Sequence, residues 1–358
     1  MASGEPVLRQ MLMPGRTVAV ILGAQEWPRA AHINGGPAFA RSAMDFRDYL
    51  LDSLKGLGLK DGDVLDLFDS EQPASDQVDA IGDFLLAREM ELSKAGEEGL
   101  SDVVIYYVGH GAFPEASNRL FILVRRSRPD RWDTTCVLVD SLARRIHMSV
   151  PFARQFVILD CCFSGAAAKA WMATAGAQGT MLRATVEHEV PGHGAVLICS
   201  SASDMVSMCP ADATHTMLTG SLLTGLRRGS PKLGRNLSPV DVRDLAWLDM
   251  QGNWGPAAVR PVLVSIDRGA GDFSRHGAFP NPLADALPRV PVAQVPDDGD
   301  QPHDWERKQK LFNKIVGTIA AILVPIVITA LIIDVYYSKP EEVVPPPIYS
   351  GEVVPPPF

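Results

Sequence analysis

Two apolar segments of this chain each end in a residue that can take part in nucleophilic catalysis. Residues Val103–Val108 lead into Gly109-His110-Gly111, and residues Phe156–Leu159 lead into a segment that contains Cys161 and Cys162. If both segments are neighbouring strands of one parallel sheet, the histidine and a cysteine lie at the same edge of that sheet. A cysteine thiol beside an imidazole base is the arrangement that covalent catalysis by a thiolate requires. The sequence therefore predicts a Cys/His site.

Of the two adjacent cysteines, Cys162 is the predicted nucleophile. It stands at an expected turn from strand into helix, where unpaired backbone N–H groups and the helix dipole stabilise a thiolate. Ser164-Gly165, directly after it, allow a close backbone approach. Cys161 is predicted to point to the opposite side, into the core. The alternative is that both cysteines only fill the core, because cysteine is among the most buried residue types.

The predicted base is His110. A second Gly-His-Gly, at residues 192–194, precedes the predicted strand Val196–Ser200 instead of following one. In a parallel sheet, His193 therefore belongs to the opposite edge. The alternative for His110 is a histidine that only occupies a loop, and its placement after a strand beside the cysteine strand favours the catalytic interpretation.

The residues around both strand ends resemble the caspase clan of cysteine peptidases, clan CD, and within it the C14-type bacterial caspase-like proteins and metacaspases. The resemblance rests on Val103–Val108 leading to His110-Gly111, and on Val157–Leu159 leading to Asp160–Gly165. It spans about residues 16–266 and does not cover the remainder of the chain.

Two further positions bear on this resemblance. Residues Ala195–Ser200, with Ser201–Val206 after them, are similar to the segment that follows the next strand in those enzymes. Phe163 departs from the pattern, since metacaspases commonly carry histidine directly after the nucleophile. This departure weakens the resemblance to metacaspases proper, and it leaves the assignment of Cys162 and His110 unchanged.

The resemblance implies a caspase-haemoglobinase fold in which His110 is the catalytic base and Cys162 attacks a peptide carbonyl. It also implies an oxyanion hole formed by the backbone N–H groups of Gly111 and Cys162, which stabilises a tetrahedral intermediate. This chemistry needs no metal and no other cofactor, and the sequence leaves calcium dependence open.

The resemblance further implies a preference for basic residues before the cleaved bond. Caspases that cut after aspartate carry arginines in the first pocket, whereas metacaspase-like relatives place acidic residues there. Asp160 and Asp204 occupy the matching positions, and two carboxylates favour a basic side chain by charge pairing. Cleavage after Arg or Lys is the expectation. The alternatives are an orienting turn residue for Asp160 and a helix cap for Asp204.

Residues Gly165–Gly194 are rich in Ala, Gly and Thr and show little strand character. We interpret this segment as a mobile connection or a weak helix with a loop. Caspase relatives are often cut between their large and small parts, and Lys169 and Arg183 suit the expected specificity. Both are therefore candidate autocleavage sites.

Short β-rich segments alternate with longer amphipathic segments, which is typical of an α/β protein. The prediction is a mostly parallel six-stranded sheet with helices on both faces. Strands are predicted at Thr17–Leu22, Val64–Phe68, Val103–Val108, Leu120–Val124, Phe156–Leu159, Val196–Ser200 and Val262–Ile266. Helices are predicted at Ala38–Leu57, Ser75–Lys94, Val139–Met148, Thr216–Arg228 and Pro239–Met250, the last with Ser238 as its cap.

The predicted organisation has five parts. An N-terminal extension at residues 1–15 precedes the peptidase domain at residues 16–267. A Pro-, Gly- and Asp-rich linker with a basic end follows at residues 268–310, then a transmembrane helix at residues 311–335 and a Pro-rich tail at residues 336–358.

The transmembrane prediction rests on the apolar run Ile315–Ile333, which shows no polar face; a buried core helix is the alternative. Basic residues cluster before this run, and only Lys339 follows it. The positive-inside rule then places the peptidase domain in the cytoplasm and the tail on the far side of the inner membrane.

The composition limits the kinds of partner that the protein is expected to bind. A net charge of −9 and a pI near 5.4 argue against a nucleic-acid surface. The five cysteines have no disulfide pattern, which indicates thiols in a reducing compartment. The expected partners are a protein or peptide substrate, the membrane through residues 315–333, and an activator protein of unknown kind.

The expected function is a membrane-anchored cysteine endopeptidase, an effector of a bacterial defence or regulated cell-death system. One alternative is a catalytically weak caspase-like scaffold that recruits partners to the membrane. Another is acyl transfer or a different thiol-dependent hydrolysis at the same Cys/His pair.

Overall fold

A six-stranded sheet organises the part of the chain that the computed structural model describes. The described residues are 11–30, 32–112, 114, 119–168, 170, 172, 194–201, 213–267 and 272–284, all within one unit over residues 1–289. Lys169, Arg183, His193, Asp204 and the apolar run at 315–333 lie outside them.

The strand order in the main sheet is β10-β8-β7-β3-β1-β2, and every neighbouring pair is parallel except β10 with β8. The α/β prediction with a mostly parallel six-stranded sheet is therefore confirmed. The strands are β1 Thr17–Gly23, β2 Val64–Phe68, β3 Asp102–Val108, β4 Gly111–Ala112, β5 Phe121–Ile122, β6 Val137–Leu138, β7 Arg154–Asp160, β8 Gly194–Cys199, β9 Asn236–Leu237, β10 Val262–Asp267 and β11 Phe279–Pro280.

Helices cover both faces of this sheet. They are α1 Pro37–Leu51, α2 Ala74–Lys94, α3 Trp132–Thr135, α4 Val139–Ser149, α5 Met217–Arg228 and α6 Pro239–Trp254. Apolar residues of α1, α5 and α6 share one buried cluster, and those of α2 and α4 share the other. Residues of β3 enter the two clusters alternately, because successive side chains of a strand point to opposite faces.

Two helix ends have local causes. Helix α1 stops at Leu51, six residues before the predicted Leu57, because the Asp52 carboxylate accepts hydrogen bonds from Leu54 N and Lys55 N at 2.8 and 3.1 Å. Helix α6 begins at the predicted cap, where Ser238 Oγ accepts from Asp241 N at 3.2 Å.

The predicted strand Leu120–Val124 does not join the main sheet. Its centre forms β5, which lies between β4 and β6 in a separate three-stranded sheet. This small sheet begins directly after His110, so it supports one side of the predicted site.

The fold extends beyond the predicted domain limits of residues 16–267. Phe273 and Phe279 are buried, and their ring centroids lie 5.4 and 5.8 Å from that of Phe156. At the other end, buried Leu12 donates its N–H to Ala278 O at 3.2 Å. The Gly-, Pro- and Asp-rich composition suggested a linker here, but the two phenylalanines bury against the sheet.

No helix within the described residues is long and apolar enough to cross a membrane. Because residues 315–333 are not among those residues, the transmembrane helix stays a prediction.

A buried ion pair holds β3 against β7. Asp102 and Arg154 are partners in the strand register, and Arg154 Nε lies 2.6 Å from Asp102 Oδ1. The guanidinium also lies over the rings of Phe156 and Phe273, at 5.7 and 6.0 Å from their centroids. Burial raises the pKa of Asp102, and Arg154 opposes that rise. A slip of one residue would separate the pair and move every β7 side chain to the wrong face.

Asp102→Asn is expected to lower the free energy of unfolding by about 3–5 kcal/mol, because it removes the carboxylate charge that faces the buried Arg154 guanidinium. Urea denaturation measures this change. Asp61→Asn is the matched control, since that side chain is 83% exposed in its ion pair with Arg47 and is expected to cost below about 1 kcal/mol. Equal losses for the two variants would contradict the role of the buried pair.

Candidate active site

The ends of β3 and β7 meet in register. Val108 and Asp160 are partners in the ladder, and Gly109 N donates to Asp160 O at 3.2 Å. His110 and Cys162 each follow two residues after that pair, at the same edge of the sheet. The structure therefore confirms that the two segments are neighbouring parallel strands.

Gly111 brings the two loops into direct contact. A Cβ atom at this position would lie 2.2 Å from Cys162 O and 3.1 Å from Cys161 Sγ. Such distances exclude any residue with a side chain, so glycine is required where the histidine loop crosses the cysteine loop.

The His110 ring is held by two aromatic rings and one carbonyl. Its centroid lies 4.6 Å from Trp27 and 5.4 Å from Phe39, and its Nε2 lies 2.7 Å from Asn34 O. A carbonyl oxygen only accepts hydrogen bonds, so Nε2 carries a proton and Nδ1 is the basic nitrogen of the neutral ring. Burial lowers the pKa of His110, and the Asn34 contact opposes that shift. The ring is therefore suited to accept a proton at neutral pH.

Tyr107 supports the backbone of this histidine. Its buried hydroxyl lies 2.7 Å from His110 O and 2.8 Å from Leu123 O, and it accepts from Leu123 N at 3.0 Å. Burial raises the pKa of Tyr107 well above its ordinary value, so the hydroxyl keeps its proton. Sequence reasoning missed this residue and Trp27; the tyrosine pair at the end of an aliphatic strand was the available signal.

The two cysteines have different surroundings. Cys162 is half-buried, whereas Cys161 is 2% exposed and packs in the apolar cluster of α2 and α4. Burial raises the pKa of the Cys161 thiol well above its usual range. Cys161 thus lies in the core, as predicted, and Cys162 is the more accessible thiol.

Phe163 turns the chain directly after Cys162. Its φ of 58° lies in the left-handed region, and the short helix Ser164–Ala166 follows it. This backbone conformation costs about 1–2 kcal/mol for a residue with a side chain. Such strain is maintained at functional sites by surrounding contacts, which here come from a group of serines.

Three buried serines attach the cysteine loop to the end of β8. Ser200 Oγ donates to Cys161 O at 2.8 Å, Ser201 N donates to Ser164 Oγ at 3.2 Å, and Gly165 N donates to Ser201 O at 3.0 Å. Both sides of the Cys162 turn are therefore anchored to a strand of the main sheet.

The N–H group of Gly111 is directed away from its own small sheet. Leu123 N donates to His110 O at 3.0 Å, and the next ladder partners are Gly111 and Ile122. Hydrogen-bonded and non-hydrogen-bonded pairs alternate in an antiparallel ladder, so the pair of Gly111 and Ile122 is of the second kind. The Gly111 N–H therefore points away from β5, to the side of β4 that has no paired strand among the described residues.

Asp160, the last residue of β7, is a buried carboxylate that contacts the start of α5. It is 3% exposed, and its Oδ2 accepts from Thr216 Oγ1 at 2.5 Å, Thr219 Oγ1 at 2.6 Å and Thr219 N at 3.1 Å. Burial raises the pKa of Asp160, and the threonine donors oppose the rise. Among the described residues, no donor reaches its Oδ1. Asp160 therefore orients α5 through Oδ2, and within the described part of the chain its Oδ1 has no donor.

Several predicted residues lie outside the described part of the chain: Lys169, Arg183, His193 and Asp204. Gly194, next to His193, begins β8 and so lies at the opposite edge of the sheet from His110. Within the described residues, no group of three or more His, Cys, Asp or Glu side chains is arranged to hold a metal ion.

By fold and site, the chain is an α/β protein in which His110 and Cys162 follow neighbouring parallel strands at the same edge of the sheet. No protein-family model matches it, and no curated protein does. Among solved structures it is similar to protein GSU0716 from Geobacter sulfurreducens, at 18% identity over 75% of this chain and 98% of that chain, with a TM-score of 0.44.

His110 is expected to titrate below 6.5, its ordinary pKa, because the apolar surroundings disfavour the charged ring. An NMR titration of the full chain measures this midpoint, and the spectrum of His110→Asn assigns the resonance among the eight histidines. An imidazolium stabilised by a Cys162 thiolate would titrate above the ordinary value, and that result would contradict the neutral base.

Proposed function

We propose that this protein is a caspase-like cysteine endopeptidase in which Cys162 is the nucleophile and His110 the general base. The observation that carries the proposal is the common register of β3 and β7, with both residues two positions beyond the paired strand ends. The half-buried Cys162 thiol supplies the proposed nucleophile. The His110 imidazole, whose Nε2 donates to Asn34 O, supplies the proposed base. The caspase-haemoglobinase fold is part of the same proposal.

In the proposed reaction, the Cys162 thiol gives its proton to His110 Nδ1, and the sulfur attacks the carbonyl carbon of a peptide bond. The tetrahedral intermediate collapses as the C–N bond breaks, and His110 returns the proton to the leaving amine. Water, activated by His110, then hydrolyses the thioester, which releases the acid and restores the thiol.

The oxyanion of the tetrahedral intermediate needs hydrogen-bond donors. The proposed donors are the backbone N–H groups of Gly111 and Cys162. Support comes from the ladder position of Gly111, whose N–H is not directed at β5, and from its close contact with the Cys162 backbone.

The proposed specificity is cleavage after Arg or Lys. Asp160 Oδ1 is the oxygen left without a donor among the described residues, and it offers a charge partner for a basic side chain. Asp204 is proposed as the second carboxylate of this pocket, and Lys169 and Arg183 as autocleavage sites with matching side chains.

The proposed setting is the cytoplasmic face of a membrane. The apolar run Ile315–Ile333 and the basic residues before it support a single-pass membrane anchor with the peptidase domain in the cytoplasm. A role as a defence or cell-death effector, released by an activator, follows from the resemblance of these residues to bacterial caspase-like proteins.

The full chain, kept in mild detergent, is expected to hydrolyse fluorogenic peptides that end in Arg or Lys. Cys162→Ala should abolish this turnover because it removes the nucleophile. Cys161→Ala is the matched control, since that thiol is buried on the other face and should leave most of the activity.

The same assay separates the alternatives. Turnover that is equal in Cys162→Ala and in the unchanged chain would refute the peptidase proposal. Absence of turnover in any activation state, with intact membrane recruitment, would favour the scaffold. Hydrolysis of esters without hydrolysis of peptides would favour another thiol-dependent hydrolysis.

Asp160→Asn is expected to lower kcat/KM for peptides ending in Arg by about 10- to 100-fold, the value of one charged hydrogen bond. Peptides ending in citrulline, the neutral isostere of arginine, serve as the control and should be cleaved equally by both proteins. If both substrates lose the same factor, Asp160 acts only by orienting α5.

A further inference from the structure

Ser200 lies directly behind the loop that carries the proposed nucleophile. It follows β8, is 2% exposed, and donates its N–H to Leu159 O at 3.1 Å, which continues the pairing of β7 with β8. Its hydroxyl lies 2.8 Å from Cys161 O. A carbonyl oxygen only accepts, so the Ser200 hydroxyl is the donor in this contact.

The acceptor of this bond belongs to the peptide between the two cysteines. The Cys161 C=O and the Cys162 N–H are opposite ends of one planar trans amide. A donor that fixes the carbonyl direction therefore also fixes the direction of the Cys162 N–H. A hydrogen bond to the carbonyl also polarises the amide and strengthens its N–H as a donor.

We propose that Ser200 is a positioning residue that aims the Cys162 N–H at the oxyanion of the substrate. The inference rests on the proposed peptidase function and adds to it the side chain that holds one of the two oxyanion donors. Ser200 touches neither substrate nor sulfur in this role, because it acts through the intervening peptide.

The surrounding contacts favour this role over simple packing. Ser201 Oγ approaches the same carbonyl at 3.4 Å, and Ser164 Oγ approaches Ser200 Oγ at the same distance. These separations are longer than the 2.8 Å bond, so among the described residues Ser200 makes the shortest hydroxyl contact to the Cys161 carbonyl. A buried hydroxyl is costly unless it is hydrogen-bonded, and Cys161 O is the acceptor that satisfies it.

The test compares Ser200→Thr with Ser200→Val in the full chain. The two variants add the same bulk and differ only in the hydroxyl. The readouts are kcat on a peptide ending in Arg, inhibition by a peptide aldehyde ending in Arg, and the rate of Cys162 alkylation by iodoacetamide. The aldehyde adduct places an oxygen in the oxyanion hole, whereas alkylation proceeds at a saturated carbon and needs no such donors.

Ser200→Val is expected to lower kcat by about 10- to 100-fold relative to Ser200→Thr, less than the loss of a whole oxyanion donor in a well-studied protease. Aldehyde affinity should fall by a similar factor while the alkylation rate stays equal in the two variants. Ser201→Ala, at the longer contact, should have a smaller effect than Ser200→Ala.

Equal kcat and equal aldehyde affinity in the threonine and valine variants would overturn the inference. So would a parallel loss of alkylation, since a displaced loop and not a misdirected amide would then be the cause. Lack of turnover in the unchanged chain in every activation state refutes the proposed function itself, so the two failures are distinguishable.

Discussion

The register between β3 and β7 is the constraint on which the site depends. The buried pair of Asp102 and Arg154 holds one end of the ladder, and the bond from Gly109 N to Asp160 O holds the other. Since side chains alternate with a period of two, a shift of one residue would exchange the environments of Cys161 and Cys162. The identity of the accessible thiol is therefore a property of strand pairing.

Around this frame, buried hydroxyls fix the groups that could do chemistry. Tyr107 bonds the backbone of the histidine loop, Ser200 bonds the peptide between the cysteines, and Thr216 with Thr219 binds the carboxylate of Asp160. Each hydroxyl is out of water, so each bond is stronger than at the surface and its loss leaves an unsatisfied group. The site is thus preorganised by polar contacts from neighbouring elements, and burial beside two aromatic rings lowers the pKa of His110.

Most elements of the main sheet follow from local pattern. Buried parallel strands are continuous apolar segments, and β1, β3 and β7 show this directly, so their existence was predictable. The ends of the helices and of the folded region were less predictable. The Asp52 side chain ends α1 by accepting hydrogen bonds from the backbone that follows it. Phe273 is buried in the fold although it lies in a segment whose composition is typical of a linker. In both cases one residue outweighs the average tendency of its segment.

The sequence by itself determined that His110 and Cys162 follow strands and that the side chains of Cys161 and Cys162 point to opposite sides. Strand position and the alternation of side chains along a strand are local properties of the chain. Tertiary structure alone decided which groups hold them. The bond from Ser200 to Cys161 spans 39 residues and that from Thr216 to Asp160 spans 56, while Asn34 reaches His110 across 76. Contacts over such separations depend on how strands and helices pack in space, and no local pattern encodes them.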